Sequence, residues 1–207
     1  TIMVAYPLSL KKFVARGWIT FIFTFTMLFG GGLIPTYLVV KSLGMVNTRW
    51  AMMIPNAMGV WYMIIARTFF QQNIPDELRD AAEIDGSSDL QFIGRIVVPL
   101  SVPVIAVLGL FYAVEHWNSY FQALIYLNDL ELFNLQLIIR NILASTEMIM
   151  QSTESGNANI DEALTRAEFI EVVKYATIVV AIGPVLILYP FVQKYFVKGI
   201  LIGSLKG

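Results

Sequence analysis

An all-α, polytopic membrane helix bundle is the fold class this sequence predicts, on three observations. Hydrophobic residues make up 57% of the chain and charged residues 14%, whereas charged residues alone reach about a quarter of a soluble domain. The apolar residues gather into long runs that approach the roughly 20 residues a helix needs to cross a bilayer. No stretch of about ten residues alternates apolar with polar as barrel strands do, so helices are the spanning form.

The composition also excludes function classes. A net charge of −1 with no basic stripe argues against a nucleic-acid binder. The 207 residues contain no cysteine, which removes disulfides, thiolate catalysis and Cys-based metal sites, and His116 is the single histidine. No G-x-x-x-x-G-K-[ST] phosphate loop is present.

Thr1–Leu10 reads as the tail of an apolar span already under way, with one or more helices expected upstream and no cleavable leader after Thr1. Trp18–Val40 follows as an uncharged span. Its Gly30–Gly32 run suits close helix packing or a flexed point near Pro35 rather than a phosphate cradle. Trp50–Ala66 is a shorter uncharged span with Trp50, Trp61 and Tyr62 as interfacial anchors. Ile96–Val114 opens with Pro99 and Pro103 and stays apolar past Glu115 to about Leu127. Tyr175–Val192 is the last span, ending near Tyr195.

Lysine and arginine placement orients these spans. Lys11, Lys12, Arg16, Arg67, Arg79, Arg95, Lys194, Lys198 and Lys206 fall on one side, which the positive-inside rule assigns to the cytosol. Lys41, Arg49, Arg140, Arg166 and Lys174 fall on the other, diluted by acids across an outer loop at 128–171. Within that loop Phe133–Leu143 has helical spacing, and Gln151–Ile160 reads as a flexible turn.

The segment 73–95 is polar where its surroundings are apolar. Asn73 can cap a helix, Pro75 suits its first turn, and Asp76 and Glu77 complement the positive end of its dipole. Gly86 supplies a left-handed break, and Ser88 with Gln91 has capping-box spacing for a second helix. Small Ala81 and Ala82 permit close approach by a partner. A solvated connector with good caps is the plain alternative.

Glu115, Asn118, Ser119, Gln122 and Tyr126 recur at steps of three and four, which places them along one face if the helix is continuous. Ionisable and polar groups inside a span face a cavity or a neighbouring helix. Trp117 and Tyr120 lie beside them with the flat rings that stack on sugars, and Asn56, next to Pro55, is a weaker candidate for the same lining. Both roles, cavity lining and helix adhesion, fit these residues.

Asp80-Ala81-Ala82, Asp85-Gly86-Ser87-Ser88 and the close Ile96-Val97-Val98-Pro99 with Pro103 resemble the EAA-type segment of permease subunits in binding-protein-dependent ABC importers. Asp80 stands where that family usually has Glu, keeping the carboxylate, and Ser87 where Ala is commoner. Phe29–Tyr37, Trp117–Phe121 and Tyr189–Gly199 resemble the carbohydrate branch of the family, closest to permeases for oligosaccharides and polyuronide fragments; the likeness is weakest across Ser145–Ala167.

The resemblance implies one transmembrane permease domain over residues 1–207, with 73–95 as its cytoplasmic coupling segment and Asp80–Ser88 docking on an ATPase. It implies a second permease subunit as heterodimer partner, a dimer of ATPase subunits that carries ATP and Mg, and an extracytoplasmic solute-binding protein touching the outer loop. The chain itself would bind no cofactor, would not be an enzyme, and would sit among lipid in a bacterial cytoplasmic membrane. The tail Gly199–Gly207 resembles tails that reach toward the ATPase. An ion-coupled carrier would show internal repeats, and a membrane enzyme a convergent acid–base set; the sequence has neither. Uronates would want basic groups in the cavity, and no Lys or Arg lies centrally in the spans, which leaves that charge to a partner.

Overall fold

The computed structural model describes the backbone of residues 1–154 and 160–204, and the side chains of 1–148, 168–187, 189–190 and 193. Among the described residues every regular element is a helix. In chain order these are α1 (Ile2–Ser9), α2 (Arg16–Leu28), α3 (Leu33–Ser42), α4 (Trp50–Met53), α5 (Val60–Asn73), α6 (Asp76–Ile84) and α7 (Asp89–Phe92). A π-helical turn (Ile93–Val97) then leads to α8 (Val98–Leu100), α9 (Val102–Trp117), α10 (Tyr120–Tyr126), a 3-10 turn (Leu130–Leu132), α11 (Leu135–Glu154) and α12 (Ile160–Ser204).

The chain forms two compact units, one of Thr1–Gly44, Met53–Tyr112 and Val192–Gly207, the other of Met45–Met52 and Ala113–Phe191. The core of the first gathers Ala5, Tyr6 and Leu8 of α1, Met63, Ala66 and Phe70 of α5, Ala82 of α6, Phe92 of α7, and Val104 and Leu108 of α9. Tyr6 meets Phe70 edge-on with ring centroids 5.8 Å apart and lies 6.2 Å from Phe92. In the second unit, Ala123, Leu127 and Leu137 are buried with Met52, Leu132 and Phe133 packed around them.

The predicted spans break more often than their apolar composition suggests. Trp18–Val40 is two helices, α2 and α3, bent 113° apart. Gly32 sits at the bend with φ +85°, a conformation L side chains rarely adopt. A Cβ on Gly30 or Gly32 would meet nothing within 4 Å, and one on Gly31 would only reach ordinary contact with Pro35 at 3.6 Å. Within this chain the glycines form a flexed point, with no described helix packed against them.

Trp50–Ala66 is not one span either: α4 stops at Met53, residues 54–59 are non-helical, and α5 starts at Val60. Pro55 cannot donate to a helical ladder, which accounts for the stop. Ile96–Val114 carries an 81° bend between Asp89–Leu100 and Val102–Trp117. Pro99 and Pro103 lack the N–H groups that would hold it straight; Val98 N–H reaches back to Ile93 O in the π turn instead. Tyr175–Val192 lies within the continuous α12, whose Glu168–Ile187 stretch is the one described helix long and apolar enough to cross a membrane. Counting each bent pair as one span gives up to three.

The outer-loop helix runs from Leu135 to Glu154, longer than Phe133–Leu143 and starting later, because Asn134 takes the capping position and its Oδ1 accepts from Leu137 N–H at 3.0 Å. Of the expected turn Gln151–Ile160, Gln151–Glu154 is helical and residues 155–159 lie outside the described residues. Gly199–Ser204 continues α12, and the last three residues of the expected tail lie outside them as well.

Asn47 holds the second unit's turn together. It adopts φ 60°, tolerable for Asn. Its N–H donates to Tyr126 O at 2.7 Å, its Oδ1 accepts from Asn128 and Asp129 N–H at 2.9 and 3.1 Å, and its Nδ2 donates to Asp129 Oδ2 at 2.8 Å. Replacing Asn47 by Ala removes the three side-chain bonds and should cost about 1–3 kcal/mol, read as a lowered thermal midpoint of the purified protein in detergent; Asn47→Gly should lose the same bonds while sparing the backbone strain.

Candidate functional site

The polar elbow between α5 and α9 begins where α5 ends. Asn73 is the last residue of α5 and its Nδ2 bonds back to Phe69 O at 2.9 Å, so it does not cap α6. Pro75 occupies the N-cap position, extended at ψ 146°, because a residue that leads into a helix without a ladder bond of its own loses nothing by lacking an N–H. Asp76 and Glu77 fill the first turn of α6 as the dipole favours. After Asp85, Gly86 turns the chain at φ +74°, and its N–H and that of Ser87 return to Glu83 O and Ala82 O at 3.1 and 2.9 Å. These close the C-terminus of α6.

The second helix starts as its spacing predicts. Ser88 Oγ accepts from Gln91 N–H, and Gln91 Oε1 accepts from Ser88 N–H at 3.2 Å, a complete capping box. The two arms are then tied across the turn. Arg79, half-buried, places Nε 3.2 Å from Glu83 and Nη2 3.3 Å from Asp89. The elbow has a defined angle because one guanidinium fork reaches both of its arms.

The two small residues of α6 divide. Ala82 is buried in the first unit's core and presents nothing outward, whereas Ala81 is exposed. Asp80 donates no spare carboxylate to solvent alone: its Oδ1 accepts from Lys12 Nζ at 2.9 Å. Asp85, Gly86 and Ser88 are exposed at the tip, with Ser87 half-buried. Flanking them are two residues the sequence reading passed over, Ile84 at 86% exposure and Leu90 at 70%. Both are large apolar side chains left uncovered on an otherwise charged elbow. Their signal in the sequence was an apolar residue on each side of the Gly86 break, off the buried stripe of Ala82 and Phe92.

The polar residues downstream do not share one helix face. α9 ends at Trp117 and α10 begins at Tyr120, with Asn118 and Ser119 in the break. Ser119 is buried and Oγ donates to His116 O at 2.6 Å while accepting from Asn134 Nδ2 at 3.2 Å. Trp117 turns its indole N–H to Ala181 O of α12 at 2.9 Å. Both are structural ties. Tyr126 is buried, Gln122 and Asn56 are half-buried, and Glu115, Asn118 and Tyr120 are exposed. The break thus leaves Glu115, Asn118 and Tyr120 exposed and Gln122, Asn56 and Trp117 half-buried, so that these have surface to offer while Ser119 and Tyr126 do not.

The chain as a whole is similar to known proteins. The family model described as "Binding-protein-dependent transport system inner membrane component" matches residues 1–202. The "Polygalacturonan/rhamnogalacturonan transport system permease protein YtcP" of Bacillus subtilis is 45% identical over 99% of this chain and 69% of its own length. "Protein LplC" of the same organism is 44% identical over 100% of this chain and 68% of its own length. A solved structure titled "Crystal structure of a bacterial ABC transporter involved in the import of the acidic polysaccharide alginate" superposes with a TM-score of 0.78 at 33% identity, over 94% of this chain and 67% of that one. The chain therefore spans about two thirds of the length of these relatives. With a match from end to end and the polar elbow in its place between helices, the chain belongs to the family of binding-protein-dependent transport system inner membrane components.

Proposed function

We propose that this chain is a permease subunit of an ABC importer that moves a carbohydrate of oligosaccharide or uronide type across the bacterial cytoplasmic membrane, driven by ATP hydrolysis in a separate subunit. The single observation that carries the mechanism is the elbow: a capped, guanidinium-tied turn that exposes Ile84 and Leu90 to a partner. The substrate class is supported by relatives named for polygalacturonan/rhamnogalacturonan and alginate transport. In this reading 73–95 docks in a groove of the ATPase, where Ile84 and Leu90 supply buried apolar anchors and Asp85–Ser88 the polar rim. ATP and Mg belong to the ATPase dimer; a second permease subunit completes the path, and a solute-binding protein delivers substrate from outside. Asn118, Gln122 and Glu115 line that path and hydrogen-bond sugar hydroxyls, with Tyr120 stacking on the ring.

Gly86 tests the docking role without steric ambiguity, since an added Cβ would meet nothing within 4 Å and only the φ of +74° resists substitution. Gly86→Val should strain the turn by about 1–3 kcal/mol and uncouple ATP hydrolysis from uptake in proteoliposomes, while Gly86→Asn, which tolerates this conformation, keeps most of the coupling. Wild-type uptake per ATP in the valine variant would sink the docking role. Alanine at both Asn118 and Gln122 should change uptake rate or substrate range with assembly intact; unaltered uptake of every saccharide tried would assign both residues to helix adhesion.

A further inference from the structure

The α1–α2 elbow is bound to α6 more tightly than its position in sequence suggests. α1 lies in the core beside the polar segment, with the Tyr6 ring against Phe92 of α7 and Ala82 of α6 buried in the same cluster. The end of α1 is held by α5: Arg67 Nε donates to Leu8 O at 3.0 Å and Gln71 Nε2 to Ser9 O at 3.5 Å. From this fixed end the chain presents two consecutive lysines to α6. Lys11 Nζ lies 3.5 Å from Asp76 Oδ2, and Lys12 Nζ 2.9 Å from Asp80 Oδ1. Asp76 and Asp80 are four residues apart and share one face of α6.

The neighbouring charges are already engaged. Arg79 takes Glu83 and Asp89, leaving Lys12 and Asp80 to each other. The hydrogen bond that Lys12 donates to Asp80, reinforced by the carboxylate's charge, holds the Lys12 ammonium above the ordinary lysine value. Exposed ion pairs contribute little to folding stability. What this clasp can do is direct motion: while it is closed, a swing of α6 about the Gly86 turn draws the elbow with it, and with the elbow the start of α2 at Arg16.

We propose that Lys12 is a positioning residue for energy coupling: clasped to Asp80, it makes the α1–α2 elbow a second arm that passes displacement of α6 into α2, in parallel with the covalent path through α7 to α9. This rests on the docking role of α6 proposed above.

The test uses the assembled transporter, with the full-length chain, partner permease, ATPase and binding protein, in proteoliposomes. Lys12→Glu should retain the ATPase on purification yet lower uptake per ATP hydrolysed several-fold; Lys12→Arg should keep it, and Lys12→Glu with Asp80→Lys should restore it. A wild-type ratio in Lys12→Glu, or a double reversal no better than either single change, overturns the proposal. A cysteine pair at the two positions, the only cysteines among these 207 residues, joined by a short bis-maleimide, should still transport, because a strut does not need to open. Blocked transport in the joined form would show that the two segments must part, and would equally overturn it. Failure of the docking role itself reads out separately, in Gly86→Val, which leaves Lys12 and Asp80 untouched.

Discussion

Where a helix breaks inside an apolar layer, its freed N–H and C=O groups must be met by something other than water, and that requirement organises this chain. The break before α5 is served by Tyr112, whose hydroxyl accepts from Gly59 N–H at 2.9 Å and meets Thr1 Oγ1. The break between α9 and α10 is served by Ser119 and Asn134, and the end of α9 is tied to α12 by the Trp117 indole. The turn after α10 is served by Asn47. Each of these side chains reaches its target across a long stretch of sequence or a change of helix, so the breaks are also the places where the elements are tied together.

The same economy separates the two kinds of surface. α2 carries an exposed ladder of rings, Trp18, Phe21, Phe25 and Phe29, each in contact with the next, and α12 exposes Val172, Val179, Val180 and Leu186. Such faces suit lipid or a second permease, where burial of apolar area needs no polar partner. In the elbow at Asp76–Phe92, turn bonds instead close the C-terminus of α6, a capping box opens α7, and a guanidinium fork ties the two arms together.

Helical class, family and the position of the elbow were all legible in the residues themselves. Apolar run length answers to bilayer thickness, and caps answer to local chemistry within four residues, so Gly86, Ser88 and Gln91 announced their roles directly. The Arg79–Glu83 pair was equally readable as an i,i+4 spacing. Continuity of the spans was not. Composition says whether a segment can lie in lipid, but whether the helix bends depends on partners for the groups that bending releases, and those partners are Tyr112, Asn47 and Asn134, far off in sequence.

Exposure divided in the same way. Periodicity placed Glu115, Asn118, Ser119, Gln122 and Tyr126 on a single face, but the break at Asn118–Ser119 reset the register and buried Ser119 and Tyr126. Ala81 and Ala82 looked alike until packing put only one of them in the core. The pairing of Lys12 with Asp80 has no local signature at all, since two exposed charges attract any opposite neighbour that folding delivers. Hydrophobic pattern and capping chemistry act within a turn of helix, and so the sequence by itself determined what each segment is; which side chains meet is a property of the packed chain, and only the tertiary structure decided it.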